Sequence, residues 1–242
     1  MYELSDPLSP LARAEERQIM LDLLDVQPHH VVVDVPAWTG YLAEGITNIV
    51  DPKQIMCVEA SPRFAAGISP RFDARCTSQI TIPMANAHAD RLGSLVGMHH
   101  LPDKLAFIRE CTRVVKPGGR LAFSEVVVDS PVAEFLNGPV HRYTTNGHKG
   151  AFVKPGELYD LLWAAGCNSI TERVCHLFWV FSSLDELARF ARGLLGLARA
   201  TEAQTLTAIR EYFELAITVQ PDGTITQVKL PWSLAYVVGV RS

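Results

Sequence analysis

The stretch from His30 to Tyr41 reads H-V-V-V-D-V-P-A-W-T-G-Y. A short apolar run, Val31 to Val33, ends in Asp34 and breaks into a turn holding Pro36 and Gly40, after which a helical segment begins. Strand, loop and helix in this order open a nucleotide-binding α/β unit, whose ligand sits over the carboxyl end of the strand and the amino end of the helix. Such loops usually carry several glycines, because the backbone must turn tightly and let a ligand approach. Here a proline and a tryptophan stand in the loop, and whether the site still holds its ligand is the main functional question.

On the amino side, residues 1–10 are polar and punctuated by proline, an arm before a helix expected over Leu11 to Val26, where Leu11, Ile19, Leu23 and Leu24 make an apolar face. On the carboxyl side, Thr39 to Ile49 reads as a helix stopped by Asp51 and Pro52. A buried-type strand, Ile55 to Val58, then ends in Glu59. The interval from Asp34 to Glu59 suits a βαβ crossover. An acid at that strand tip can accept hydrogen bonds from two neighbouring ribose hydroxyls, although a solvated loop carboxylate looks the same in sequence. A short helix (Pro62 to Gly67), a brief third strand (Ile80 to Ile82) and a fourth (Arg91 to Val96, after Asp90) follow. Beyond them come a helix from Leu105 to Val115, a tight turn K-P-G-G-R at Lys116 to Arg120, and a long strand from Leu121 to Val128. This alternation predicts a parallel sheet with right-handed crossovers.

With 242 residues, 48% hydrophobic and 20% charged, the composition is that of an ordinary globular protein. A formal net charge of −4 argues against a nucleic-acid partner held by a broad basic face. No apolar run reaches the roughly 20 residues a bilayer span needs, and the first ten residues lack a secretory pattern, so no membrane partner is expected. The five cysteines are scattered and form no C-x-x-C pair, which reads as reduced thiols in a cytoplasmic protein. His88, His99, His100, His141 and His148 match no standard zinc spacing, so no metal is expected.

The run H-H-L-P-D-K-L-A-F-I-R-E-C-T-R-V-V-K-P-G-G-R-L-A-F-S-E, His99 to Glu125, resembles the corresponding region of class I S-adenosylmethionine-dependent methyltransferases of the small-molecule type 11 group. With D-V-P-A-W-T-G-Y, V-E-A-S-P and A-D-R-L-G-S-L, the resemblance covers about residues 28 to 130 in the right order. Gly147 to Cys167 more weakly resembles a lid and its following helix. The fold this implies is Rossmann-like and doubly wound: a mostly parallel seven-stranded sheet, the last strand antiparallel, with a helical lid or insertion. The whole chain would then be one domain: arm and helix at 1–27, nucleotide-binding core at 28–130, lid at 131–160, and C-terminal strands with a helical insertion at 161–242. In that last region Glu172 to Phe181 and Trp232 to Val240 read as strands, Leu184 to Leu197 and Thr201 to Leu215 as helices, and Asp222–Gly223 as a turn. Trp179, Phe181 and Trp232 read as core aromatics.

The resemblance implies S-adenosylmethionine as cofactor and a small molecule as substrate. Its loop pattern, acidic–x–Gly–x–Gly–x–Gly, falls on Asp34, Pro36, Trp38 and Gly40; the first and last match, while Pro36 and Trp38 replace glycines. Proline fixes φ near −65° and removes an N–H, and the indole stands where backbone should face the methionine end of the cofactor. Family members also carry an acid near the adenine; the matching stretch, Cys76 to Gln79, has none, leaving Ser78 or Gln79 to hydrogen-bond the base. Glu59 and Met98 complete the expected cofactor set, and Asp90 is compatible with an adenosine. His99 and His100, after the fourth strand, are candidate bases for deprotonating an acceptor, or else cap the following turn. His141, Tyr143 and His148 in the lid are candidate substrate contacts, or else a polar surface loop. Three functions compete: a small-molecule methyltransferase; a methyltransferase-fold protein with lost or altered cofactor binding, either a non-methylating enzyme or a non-catalytic subunit; and a structural homo-oligomer joined through the apolar face of Leu184, Leu187, Phe190, Leu194 and Leu195.

Overall fold

The computed structural model describes residues 11–242; the arm expected at 1–10 lies outside the described residues. α1 (Ala14–Leu24) leads to β1 (Val32–Asp34), α2 (Tyr41–Ile46), β2 (Ile55–Glu59), α3 (Pro62–Ala65), β3 (Asp73–Cys76), β4 (Ala89–Leu95), α4 (Lys104–Val114) and β5 (Val115–Glu125). Then come α5 (Pro131–Phe135), α6 (His141–Tyr143), α7 (Glu157–Ala164), β6 (Cys167–Phe181), α8 (Leu184–Leu195), α9 (Glu202–Tyr212), β7 (Ala216–Val219) and β8 (Ile225–Arg241). The sheet runs β3-β2-β1-β4-β5-β8-β6, with β7 paired to β8. Neighbours from β3 to β5 are parallel, and β8 is antiparallel to β5. The doubly wound, mostly parallel sheet expected from the sequence is therefore present, with β7 as an eighth strand. No helix among the described residues is long and apolar enough to cross a membrane.

β1 and β2 are buried along their whole length, which explains their unbroken apolar runs: a parallel strand covered on both faces has no polar side. Strand order reverses at β1, which has β2 on one side and β4 on the other. Crossovers leave such a strand toward opposite faces, and the gap between them forms a crevice at the carboxyl ends of β1 and β4.

The chain packs as two compact units. One joins Arg17–Val126, Ala151–Cys175 and Leu234–Ser242 and holds β1 to β5 with the crevice. The other joins residues 11–16 with Val127–Gly150 and His176–Ser233. In this second unit Trp179 stacks on Trp232 at 4.1 Å between ring centroids, and Phe213 stacks on Trp232 at 5.7 Å. Trp179 Nε1 donates to the buried Glu16 Oε2 at 2.8 Å, so Trp179, Phe181 and Trp232 are buried core aromatics. α8 starts at Ser183, whose Oγ accepts from Glu186 N at 3.1 Å, and stops at Gly196 with φ +67°. α9 opens with a reciprocal Thr201–Gln204 capping box. Leu187 and Phe190 are buried within this unit, while Leu184, Leu194 and Leu195 are half-buried.

Besides the added β7 and the earlier starts of β6 and β8, two elements differ from expectation. The third strand is Asp73–Cys76, not Ile80 to Ile82. It pairs with β2 at the sheet edge and is mostly exposed, so it carries no apolar pattern to read. Ile82 is buried for another reason: its N–H donates to Glu110 and its carbonyl accepts from Arg113, which ties the segment to α4. K-P-G-G-R is not a turn between helix and strand but an irregularity inside β5. Val115 partners Ala89, the next partners are Arg120 and Arg91, and the extra residues bulge out. Gly119 is required there, because a Cβ would lie 2.8 Å from the Asp90 carbonyl.

Gly93, in β4, faces α1 and α2: a Cβ would come within 2.6 Å of Leu42 Cδ2 and 3.1 Å of Leu24 Cδ1. Gly93→Ala is expected to destabilise the chain by roughly 1–3 kcal/mol through overpacking, measured as a lower urea midpoint at unchanged slope.

Candidate cofactor cleft

Three strands of the first unit end in acids: Asp34 on β1, Glu59 on β2 and Glu125 on β5. All three are buried, at 1%, 3% and 0% exposure. Carboxylates are almost never so deeply buried without partners, and each has a distinct set here. Asp34 Oδ2 accepts from Ala43 N, in the first turn of α2, at 3.1 Å. Burial pushes its pKa up to about 8; the Ala43 hydrogen bond opposes this and the Glu59 charge adds to it. Gly40, with φ +86°, caps α2, and its N–H reaches back to Ala37 O at 2.7 Å.

Trp38 closes the space between β1 and β4. Its φ of +50° is the left-handed conformation a glycine loop uses, so the backbone follows that path with a non-glycine residue in it. The indole Nε1 donates to Val96 O, beyond the end of β4, at 3.2 Å, and the ring meets Phe64 edge-on at 5.1 Å. The far wall is also strained: Val96 has φ +63°, rare for a β-branched residue, and Gly97 has φ +121°. A Cβ on Gly97 would stand 2.8 Å from Pro36 Cγ and 3.3 Å from Trp38 Cζ2, so Pro36 and Trp38 both press on that wall. Glu59 turns inward: Oε2 accepts from Trp38 N at 2.9 Å and Oε1 from Ser61 N at 2.8 Å. Burial raises the Glu59 pKa against these hydrogen bonds.

The remaining expected residues are placed as follows. Ser78 is exposed, with its Oγ accepting from Ile80 N at 3.4 Å. Its neighbour Gln79 has a buried Oε1 with no partner. Met98 is fully buried. Asp90 is corrected: it lies at the amino end of β4, away from the crevice, where its oxygens accept from Val31 N and Lys116 Nζ, each at 2.8 Å. His99 is buried and His100 exposed, with ring centroids 4.0 Å apart. Crowding by protein, then the His99 ring, lower the His100 pKa to about 4, while Glu125 acts in the raising direction. His100 is therefore neutral near pH 7. His141, Tyr143 and His148 belong to the other unit. There His148 N donates to His141 Nδ1 at 3.0 Å, His148 Nδ1 lies 3.2 Å from Asn137 Oδ1, and Gly147 packs on the His141 ring. These hydrogen bonds hold the loop that carries both histidines.

The sequence reading missed Glu125, Val96 and Gly97. Glu125 did carry a signal, since like Asp34 and Glu59 it is an acid ending an apolar strand. Val96 and Gly97 carried none.

Residues 33–123 match the model of the methyltransferase domain. The chain is 31% identical over 155 residues to the methyltransferase GfsG of Streptomyces halstedii, covering 58% of this chain and 55% of that protein. It is 32% identical over 107 residues to a demethylmenaquinone methyltransferase of Corynebacterium urealyticum, covering 42% of this chain and 44% of the other. The matches thus span about half the length of these relatives. Among solved structures, the YcgJ protein of Bacillus subtilis superposes with a TM-score of 0.66 at 18% identity, over 95% of this chain and 99% of that one, which shows the fold. Sheet order, acid-tipped strands and the matched domain agree: the chain belongs to the class I S-adenosylmethionine-dependent methyltransferase family.

The indole, as it lies here, occupies the loop position where the family pattern has a glycine. Trp38 bridges β1 to the loop after β4, and Glu59 has both oxygens on backbone N–H groups instead of facing outward. The groups that could hold that cofactor are Glu59, a carboxylate able to accept from a ribose diol, and Gln79, whose unpartnered Oε1 could accept from an exocyclic amine.

Proposed function

We propose that the chain is a small-molecule methyltransferase whose cofactor cleft is gated by Trp38. The observation that carries this reading is the loop itself: the backbone keeps the left-handed turn of a glycine loop, while one half-exposed indole, held by one hydrogen bond, an edge contact and its packing on Gly97, fills the space the turn creates. Bound S-adenosylmethionine would supply an electrophilic methyl group. In this chain Glu59 accepts from the ribose hydroxyls once the loop releases it, Gln79 accepts from the adenine amine, and Gly40 lets α2 begin close to the ligand. His100, neutral near pH 7, takes a proton from the acceptor. The rest is positioning, which methyl transfer chiefly requires. A small-molecule acceptor is supported by the relative named for demethylmenaquinone.

Calorimetry with S-adenosylmethionine and S-adenosylhomocysteine tests this. If the open form is about 1% of the population, affinity falls about 100-fold below that of an open site but stays measurable. Detectable binding of either ligand is expected, and no heat from both at millimolar concentration overturns the proposal.

A second reading, a family member with lost or altered cofactor binding, is favoured by Glu59, whose two oxygens are both satisfied within the chain. It predicts no binding even after Trp38 is removed.

A further inference from the structure

Glu125 has no part in the cofactor contacts above, yet it is the most enclosed acid of the first unit. Its Oε2 accepts from His99 N at 2.9 Å and Gly97 N at 3.3 Å; its Oε1 accepts from Val126 N at 2.8 Å and lies 2.7 Å from His99 Nδ1. Every group around this carboxylate is a donor or, in the case of Nδ1, serves as one. Burial alone would raise the Glu125 pKa, but the His99 ring and these hydrogen bonds outweigh it and hold the carboxyl below its ordinary value. An ionised carboxylate in a dry position costs several kcal/mol unless it is fully paired, and an apolar residue would end β5 with no such requirement. The pairing falls on one short turn. His99 is held at its N–H and Nδ1 by Glu125, at its carbonyl by Ala151 N at 3.0 Å, and against Phe152 at 5.2 Å between rings. The same turn carries Val96 and Gly97 at φ +63° and +121°, conformations that persist only where surrounding bonds over-determine them. His100 is the next residue, at the carboxyl end of β4; it reaches solvent, but its ring stands 4.0 Å from that of His99 and is crowded by protein.

We propose that Glu125 is a positioning residue: by clamping the Gly97–His99 turn and the His99 ring, it fixes where the His100 imidazole stands. Giving His100 the part of base rests on the methyltransferase reading; the clamp itself does not. The carboxylate acts through His99 and touches no reacting group.

Titration of His100 by NMR in the full chain, without ligand, separates position from charge because the two move it oppositely. Glu125 as a charge raises the His100 pKa, so losing only the charge would lower it further. Losing the clamp instead lets the ring leave its crowded place, and its pKa climbs toward 6.5, the ordinary value. For E125Q, where an amide NH2 meets backbone donors, a rise of about one pH unit or more is expected. E125D keeps the charge but withdraws it from the turn, and a rise is expected there too. A fall or no change in E125Q overturns the proposal, as does unfolding of both variants, which would make Glu125 purely structural. If E125Q alone fails to fold, the E125D titration decides. Calorimetry reads the methyltransferase proposal independently: no cofactor binding with the His100 rise intact rejects that proposal and leaves the clamp, and binding without the rise does the reverse.

Discussion

Trp38→Gly is expected to tighten binding of S-adenosylhomocysteine by roughly 10- to 100-fold, read by calorimetry. The closed position of the indole rests chiefly on one hydrogen bond to Val96, worth about 0.5–1.5 kcal/mol, and one edge contact with Phe64, worth about as much, beside its packing on Gly97. Deleting both removes about 1–3 kcal/mol from the closed form, and each 1.4 kcal/mol is tenfold in binding. The substitution should also be tolerated. Trp38 sits at φ +50°, where glycine is at ease and other residues are not, and its N–H to Glu59 survives because it belongs to the backbone. Trp38→Phe keeps most of the bulk but loses the Nε1–H donor, so it should fall between the two. A Trp38→Gly chain with unchanged affinity would show that the indole is no gate. A chain that still binds neither ligand would point to Glu59 and to the second reading.

The fold was legible because its core obeys local rules. Fully buried strands wrote unbroken apolar runs, and helix ends such as the stop at Asp51 and Pro52 after α2 were marked by residues that break a helix. Elements at the edges wrote nothing comparable. β3 and β7 are exposed almost throughout, so neither alternation nor an apolar run marked them. Ile80–Ile82 misled because Ile82 is pinned by a salt-bridged helix, not by a sheet, while Ile80 is exposed. At the cleft, residue identities were legible but their partners were not. That Asp34, Trp38, Gly40 and Glu59 meet follows from the loop pattern. That the Glu59 oxygens face Trp38 N and Ser61 N, and that the indole reaches Val96, depends on contacts 58 residues or fewer apart that no periodicity encodes. The two histidines separated for a similar reason: adjacent in sequence, one is buried by Glu125 from β5 and the other left exposed.

Asp34→Asn is expected to stabilise the chain by a few kcal/mol at pH 7 and by almost nothing near pH 4. Burial, opposed by the Ala43 hydrogen bond and aided by the Glu59 charge, raises the Asp34 pKa from 3.8 to about 8. A carboxyl raised on folding binds its proton more tightly in the folded chain. Its contribution to stability is therefore fully present below pH 3.8, falls as pH rises through that window, and is lost above about 8. The loss runs at about 1.4 kcal/mol per pH unit, so it amounts to a few kcal/mol at neutrality. Asparagine has the same shape, is neutral at every pH, and offers its own oxygen to Ala43 N, so it escapes the loss. Urea unfolding of both chains from pH 4 to 8 should show curves that meet in acid and diverge with rising pH; a variant less stable at every pH would mean that Asp34 is ionised and held by stronger bonds than the one from Ala43. The same residue ends β1 beneath the loop proposed to meet the cofactor, and acids that weaken a fold are expected where function needs them. If Asp34 serves the cleft, the more stable Asp34→Asn chain should also bind S-adenosylhomocysteine more weakly in a Trp38→Gly background, where the indole no longer masks the effect.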